Sequence, residues 1–236
     1  MTSNDVIDLL TSVYGYKRFE TWSADDLGDI EVGLKYQYLN NEKWRLAFQG
    51  GMRLPTGRED DTDNLLDYGF GGGNYDIILG FQNDYLGFEN VVLNGTVRYT
   101  NQLPDSETLR VPLDADRPIT SRKEKVDRDQ GDILELELSA AYKFPRGFGI
   151  NATYGGFFKD KDSAKGESGQ HLTGLEDETS QTGYTLLLGV SYNNLEKVQK
   201  KVAKVPFQLS LSHWQRLKGK NLNKAQYVSL KGALFF

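Results

Sequence analysis

Few side chains in this sequence are placed for covalent chemistry. Ser212 stands beside His213, the one pairing of a nucleophile with a base. Adjacent residues of an extended strand point to opposite faces, so these two are not expected to hydrogen-bond, and a lipid-modifying enzyme is the weakest of the functional readings. His171 lies in a polar stretch and reads as solvated. With no cysteine and only two histidines, the chain offers no disulfide, no thiolate site and no conventional zinc site. Gly71-Gly72-Gly73 has the backbone freedom of a phosphate cradle but lacks the following helix and Lys-Ser/Thr pair, and reads as loop re-entry. The acidic run from Arg58 to Asn64 lacks the Gly and distal Glu of a calcium loop. No enzyme activity, metal or cofactor is expected.

A second set of residues points to non-covalent chemistry. Lys35, Arg45, Arg53, Asp76, Arg98, Glu135, Glu137, Lys143 and Lys231 each sit one residue out of step with a run of Leu, Val and aromatic positions. On a two-residue period they occupy one face of a strand and the apolar residues the other. Charges of both signs gathered on one face could line a watery lumen or lock into a salt-bridged plug. An electrostatic network is expected among seven of them, Arg45, Arg53, Asp76, Arg98, Glu135, Glu137 and Lys231.

The elements that must position these charges follow from the same alternation, repeated in segments of about ten residues. Val32, Leu34, Tyr36 and Tyr38 share one parity, and Trp44, Leu46, Phe48, Met52 and Leu54 repeat it. Ile77, Leu79 and Phe81 continue the pattern, followed by Leu93, Val97 and Tyr99, by Leu134, Leu136 and Leu138, and by Ile150, Ala152 and Tyr154. Leu186, Leu188 and Val190, then Leu209 and Leu211, then Val228, Leu230 and Leu234 complete the series; a weaker strand is expected around residues 13–22. Connections alternate between short turns at residues 40–43, 87–90 and 145–147 and long polar loops at 58–74, 105–130 and 160–179. Residues 193–204 read as a short amphipathic helix with exposed lysines.

With 236 residues and 26% charged side chains, there is no run of roughly 18 apolar residues, so a transmembrane helix is excluded. Polar averages do not argue against a membrane barrel, in which lipid-facing and lumen-facing residues alternate. The net charge of −5 gives no reason to expect nucleic acid as a partner. Tyr36, Tyr38, Trp44, Tyr85, Tyr99, Tyr142 and Tyr192 lie near the ends of apolar runs, as an interfacial aromatic girdle requires. The expected fold is a single domain over residues 1–236, a closed antiparallel transmembrane β-barrel of about ten to twelve strands with short periplasmic turns and long extracellular loops. Outer-membrane lipids are its expected surroundings. The segment Met1 to Leu10 is not a secretory signal, so an export signal is expected to have been removed. Phe236 closes the last alternating segment and resembles the terminal signal by which barrel assembly machinery recognises its substrates.

Three motifs add a resemblance. Gly28-Asp29-Ile30-Glu31-Val32-Gly33-Leu34-Lys35-Tyr36, Arg53-Leu54-Pro55-Thr56-Gly57 and Gly71-Gly72-Gly73-Asn74-Tyr75-Asp76 follow one another as in the outer-membrane proteins named for the meta-pathway of phenol degradation. The chain resembles that family over about a quarter of its length and departs from it in its short beginning, residues 1–28, where one or more strands are expected to be missing. The resemblance implies a bacterial outer-membrane channel for passive uptake of small, hydrophobic or aromatic solutes, and supplies no catalytic residues. A structural or adhesive barrel without transport is the alternative. Pro55 followed by Thr56-Gly57 has its own physical reading as a strand terminator, since Pro lacks a ladder donor.

Overall fold

The computed structural model describes residues 2–114 and 116–235. A ten-residue helix α1 (Ser3–Ser12) opens the chain, capped by Thr2 and Asp5 in a reciprocal capping box. Twelve strands follow: β1 (Ile30–Asn40), β2 (Trp44–Leu54), β3 (Asp76–Tyr85), β4 (Val91–Gln102), β5 (Asp105–Arg110), β6 (Lys123–Asp129), β7 (Ile133–Lys143), β8 (Phe148–Lys159), β9 (Ser163–Lys165), β10 (Gln181–Asn193), β11 (Phe207–Lys220) and β12 (Gln226–Leu234). Helix α2 (Thr173–Glu176) precedes β10, and α3 (Leu195–Gln199) joins β10 to β11. No helix among the described residues is long and apolar enough to cross a membrane.

Nine strands form one antiparallel sheet in the order β1-β2-β3-β4-β7-β8-β10-β11-β12. The expected segments are therefore strands, but two expectations change. Residues 13–22 do not form a strand: Tyr16 is buried instead against the loops, with the Arg110 guanidinium 3.9 Å from its ring centroid. The sheet is also not closed, because β1 and β12 each pair on one side only. With nine strands alternating in direction, these two edges run the same way, so joining them directly would make a parallel pair.

Pairing registers show why the alternation matters. Arg45 faces Asp84, Arg53 faces Asp76 and Arg98 faces Glu135 across neighbouring strands, while Phe48 faces Phe81 and Leu79 faces Tyr99 on the other side. A bulge between Gln37 and Leu39 keeps Leu39 and Leu46 on the apolar face. That face is uncovered: Leu34 is 84% exposed, Leu230 69% and Leu138 66%. On the polar face of β3, Asp76 and Ile78 are almost fully buried, so the sheet curls with its polar side concave.

The long connections are not open loops. Strands β5, β6 and β9 form a second, three-stranded sheet that joins two of them, with a small core of Val111, Val126, Ala164 and Leu172. The third is tied in through Asp63, which pairs with Arg110 at 2.7 Å and Lys123 at 2.5 Å. All three expected loops therefore meet at one rim. The opposite rim carries the turns at 41–43 and 86–90, the 3₁₀ turn Pro145–Gly147 and the α3 segment.

Candidate functional site

The three sequence motifs meet where β1, β2 and β3 reach the loop rim. The Asp29 carboxylate accepts the backbone N–H of Gly57 at 2.9 Å and of Gly72 at 2.8 Å. Thr56 Oγ1 accepts the Ile30 N–H at 3.0 Å. A Cβ on Gly57 would stand 2.7 Å from the Gly71 nitrogen, and one on Gly71 2.9 Å from the Gly57 Cα, so only glycine lets these backbones meet. The glycine-rich segment thus cradles an anion, but one supplied by the chain itself.

Below this clasp, a ladder of charge crosses the concave face. Asn74 donates to Asp76 Oδ1 at 2.6 Å, and Arg53 pairs with Asp76 at 2.8 Å. Glu31 lies 3.6 Å from Arg53 and 2.9 Å from Arg98, whose Nε is 3.6 Å from Glu135. Glu31 stands on β1 and Arg98 on β4, strands roughly 14 Å apart on a flat sheet, and the two residues are also offset along the strands. Their contact requires the curl that makes this face concave. Lys35 reaches over β2 in the same way to Gln82 on β3.

The structure therefore brings Arg53, Asp76, Arg98 and Glu135 into one network, with Lys35 hydrogen-bonded nearby. Arg45 lines a concavity of about 350 Å³ with Lys35, Gln82 and Asp84. Glu137 has the same register as Glu135 and lines a second concavity of about 370 Å³ with Thr96, Arg98, Phe157 and Trp214. Lys143 and Lys231 share the polar register, opposite Gly149 and Ser210, but stand exposed outside the network. Glu31 and Trp214 are the residues missing from the sequence-predicted set. Parity would have found both: Trp214 pairs with Leu187 and Tyr227 on the polar side, three residues after apolar-facing Leu211.

Ser212 and His213 point to opposite faces: Ser212 opposes Gly189 and Ser229, while His213 lies in the apolar row between Leu188 and Val228. They form no nucleophile–base pair. His171 is not simply solvated, since its Nδ1 lies 2.6 Å from Glu176. Aromatic side chains line the short-turn rim, with Trp44 against Tyr85 at 4.5 Å, Tyr142 against Phe144 at 4.6 Å, and Phe148 against Tyr192 at 4.9 Å.

The loop layer has its own electrostatics. Arg58 grips Asp67 through two hydrogen bonds of 2.7 Å, which hold that carboxyl far below the usual range despite some desolvation. Glu107 behaves oppositely. Burial pushes it up to about 7, with the charges of Glu59, Asp60 and Asp105 adding to the rise, although Arg128 lies 2.5 Å away and opposes it. Arg128 is shared with Asp105 and held above its ordinary value, its ion pairs outweighing desolvation.

A family model described as "Putative MetA-pathway of phenol degradation" matches residues 8–216. No curated protein matches the chain. Phe236, expected to carry the assembly signal, lies outside the described residues.

Proposed function

Since the chain belongs to the family of the MetA pathway of phenol degradation, we propose that its sheet is the wall of a bacterial outer-membrane β-barrel that passes small hydrophobic or aromatic solutes. The observation that carries this reading is the separation of the two faces. Leu34, Leu138, Leu230 and their row neighbours stand exposed with nothing over them, far beyond the apolar patch a soluble monomer presents. Lipid is the medium that removes that cost. The charges lie on the other face, where facing lipid would cost roughly 2 to 4 kcal/mol for each Arg or Lys near the midplane.

The aromatic band at the short-turn rim supports the same placement, since Trp and Tyr prefer the headgroup level. Closure into a barrel with antiparallel pairs throughout needs an odd number of further strands, with those beside β1 and β12 running from the short-turn rim to the loop rim. One such strand gives a barrel of about ten, within the range of outer-membrane barrels. Inside it, the ladder from Asp76 to Glu135 fixes charges of both signs along the wall, and Glu137 beside Phe157 and Trp214 offers a carboxylate and aromatic surface to a passing solute. Such a lining filters by polarity and size.

The test is reconstitution of the protein into liposomes, followed by swelling assays with size-graded neutral and aromatic solutes. Solute entry that falls with size supports a channel. Protein that floats with the vesicles yet admits nothing refutes transport and leaves the structural or adhesive alternative. Protein that remains in the aqueous phase refutes the membrane placement itself.

A further inference from the structure

The uncovered apolar face is not uniform. Across the sheet, Ala140 opposes Ala152, which opposes Leu188, so two methyl groups form a dent beside larger side chains. This dent is the floor of an almost wholly apolar concavity of about 710 Å³, bordered by Tyr142, Ile150, Val190, Leu211 and His213. A second apolar concavity of about 400 Å³ shares Ile150, Val190 and Leu211 with it and continues to Phe148, Tyr192 and Leu209. Together they make one furrow along β8, β10 and β11. From Ala152 to Phe148 it spans four residues of strand, roughly 13 Å, and it ends at the short-turn rim.

Its mouth is basic. The connection from β10 to β11 carries Lys197, Lys200, Lys201 and Lys204, all exposed, against a single carboxylate, Glu196, which is bonded to Lys200. Lys197 donates to Tyr192 Oη at 2.9 Å and lies 5.6 Å from that ring's centroid, which fixes its ammonium at the furrow's end. Arg146 sits in the neighbouring turn. Exposed Leu195, Val202 and Val205 add apolar anchors among the lysines. The turns at 41–43 and 86–90 have no such cluster: the first holds one Lys and one Glu, and the second holds Glu89 as its one charged residue.

We propose that this furrow and its lysines form a binding site for one anionic glycerophospholipid, with an acyl chain along β8, β10 and β11 and the phosphate on Lys197, Lys201 and Lys204. The inference rests on the membrane placement given above. Apolar burial holds the chain, and each basic residue near the headgroup plane adds attraction to an anionic lipid. A neutral or zwitterionic lipid fills the furrow equally well but leaves the lysines unmatched.

The experiment uses the full chain in phosphatidylcholine vesicles with and without phosphatidylglycerol, scoring thermal unfolding by gel mobility and retained lipid by native mass spectrometry. Phosphatidylglycerol should be retained over phosphatidylcholine on the order of tenfold and should raise the unfolding midpoint. The triple variant Lys197→Gln, Lys201→Gln, Lys204→Gln should lose that preference while unfolding unchanged in pure phosphatidylcholine. Ala152→Phe, which fills the dent without touching charge, should reduce retention of both lipids. An unselective native protein, or a preference that survives the triple substitution, overturns the site. Glycerol phosphate in solution matching the effect of the lipid overturns the acyl part. Failure to float with any vesicles overturns the membrane placement and the site with it.

Discussion

Glu107 makes the loop layer sensitive to pH in a direction opposite to that of most carboxylates. Its side chain is 12% exposed and its carboxyl is raised from an ordinary 4.5 to about 7. Below 4.5 both folded and unfolded chains hold the proton, so the group contributes no pH dependence there. As pH rises from 4.5 to about 7, the unfolded chain releases its proton first and the folded layer is progressively destabilised; above 7 the loss is complete. At 1.36 kcal/mol per pKa unit the loss is on the order of 3 kcal/mol. Glu107→Gln keeps the shape and leaves Arg128 paired with Asp105, so it should remove the dependence and make the layer more stable than the native one at pH 8. Hydrogen exchange of β5 and β6 amides, expressed as protection factors between pH 5 and pH 8, reads this directly. Protection should fall on the order of a hundredfold in the native protein and stay level in the variant. Protection that is flat or rising in the native protein, or an equal fall in the variant, refutes the reasoning.

Arg53→Met leaves Asp76, whose side chain is 2% exposed, without its cation; a loss of roughly 3 to 5 kcal/mol is expected, measured as a lower midpoint of heat-induced gel-mobility change, with partial recovery when Asp76→Leu is added. Gly57→Ala drives a methyl group into the backbone of Gly71 and should open the Asp29 clasp, read as faster exchange of the Gly57 and Gly72 amides. In planar bilayers, Glu135→Gln combined with Glu137→Gln should lower cation preference if the pore conducts, and an unchanged reversal potential would remove these residues from the selectivity lining. Protease added to intact cells should cut at the loop rim, within the coil at 116–122 or the turn at 166–170, and spare residues 41–43 and 86–90.

The nine strands of the large sheet were legible because a two-residue period leaves little freedom: Leu79 and Asp76 cannot exchange faces without moving their whole strand. Individual ion pairs were not legible, since parity assigns a face but says nothing of curvature, and it is curvature that carries Glu31 to Arg98 across two intervening strands. The loop-layer sheet was missed because β5 and β6 are dominated by charge, with Asp, Glu, Lys and Arg on both faces hiding the few apolar positions, Leu109, Val111 and Val126, that build its core. Helix α1 carried a signal, Thr2 three residues ahead of Asp5, that strand periodicity passes over. The Gly71–Gly73 segment resembled a ligand cradle for the right physical reason, close backbone approach to an anion, but its anion is Asp29, more than forty residues earlier in the chain.

The direction shared by β1 and β12 also governs how copies of the protein meet. In a membrane with fixed sidedness all copies stand the same way up, so any edge of one copy can reach an edge of another only in parallel. Parallel ladders are somewhat weaker per residue than antiparallel ones, and outer-membrane barrels are built from antiparallel strands. Sister molecules held the same way up are therefore poor templates for one another at either edge. On the proposed membrane placement, crowding that would polymerise a sheet with edges of opposite direction offers this one no antiparallel partner among its own copies.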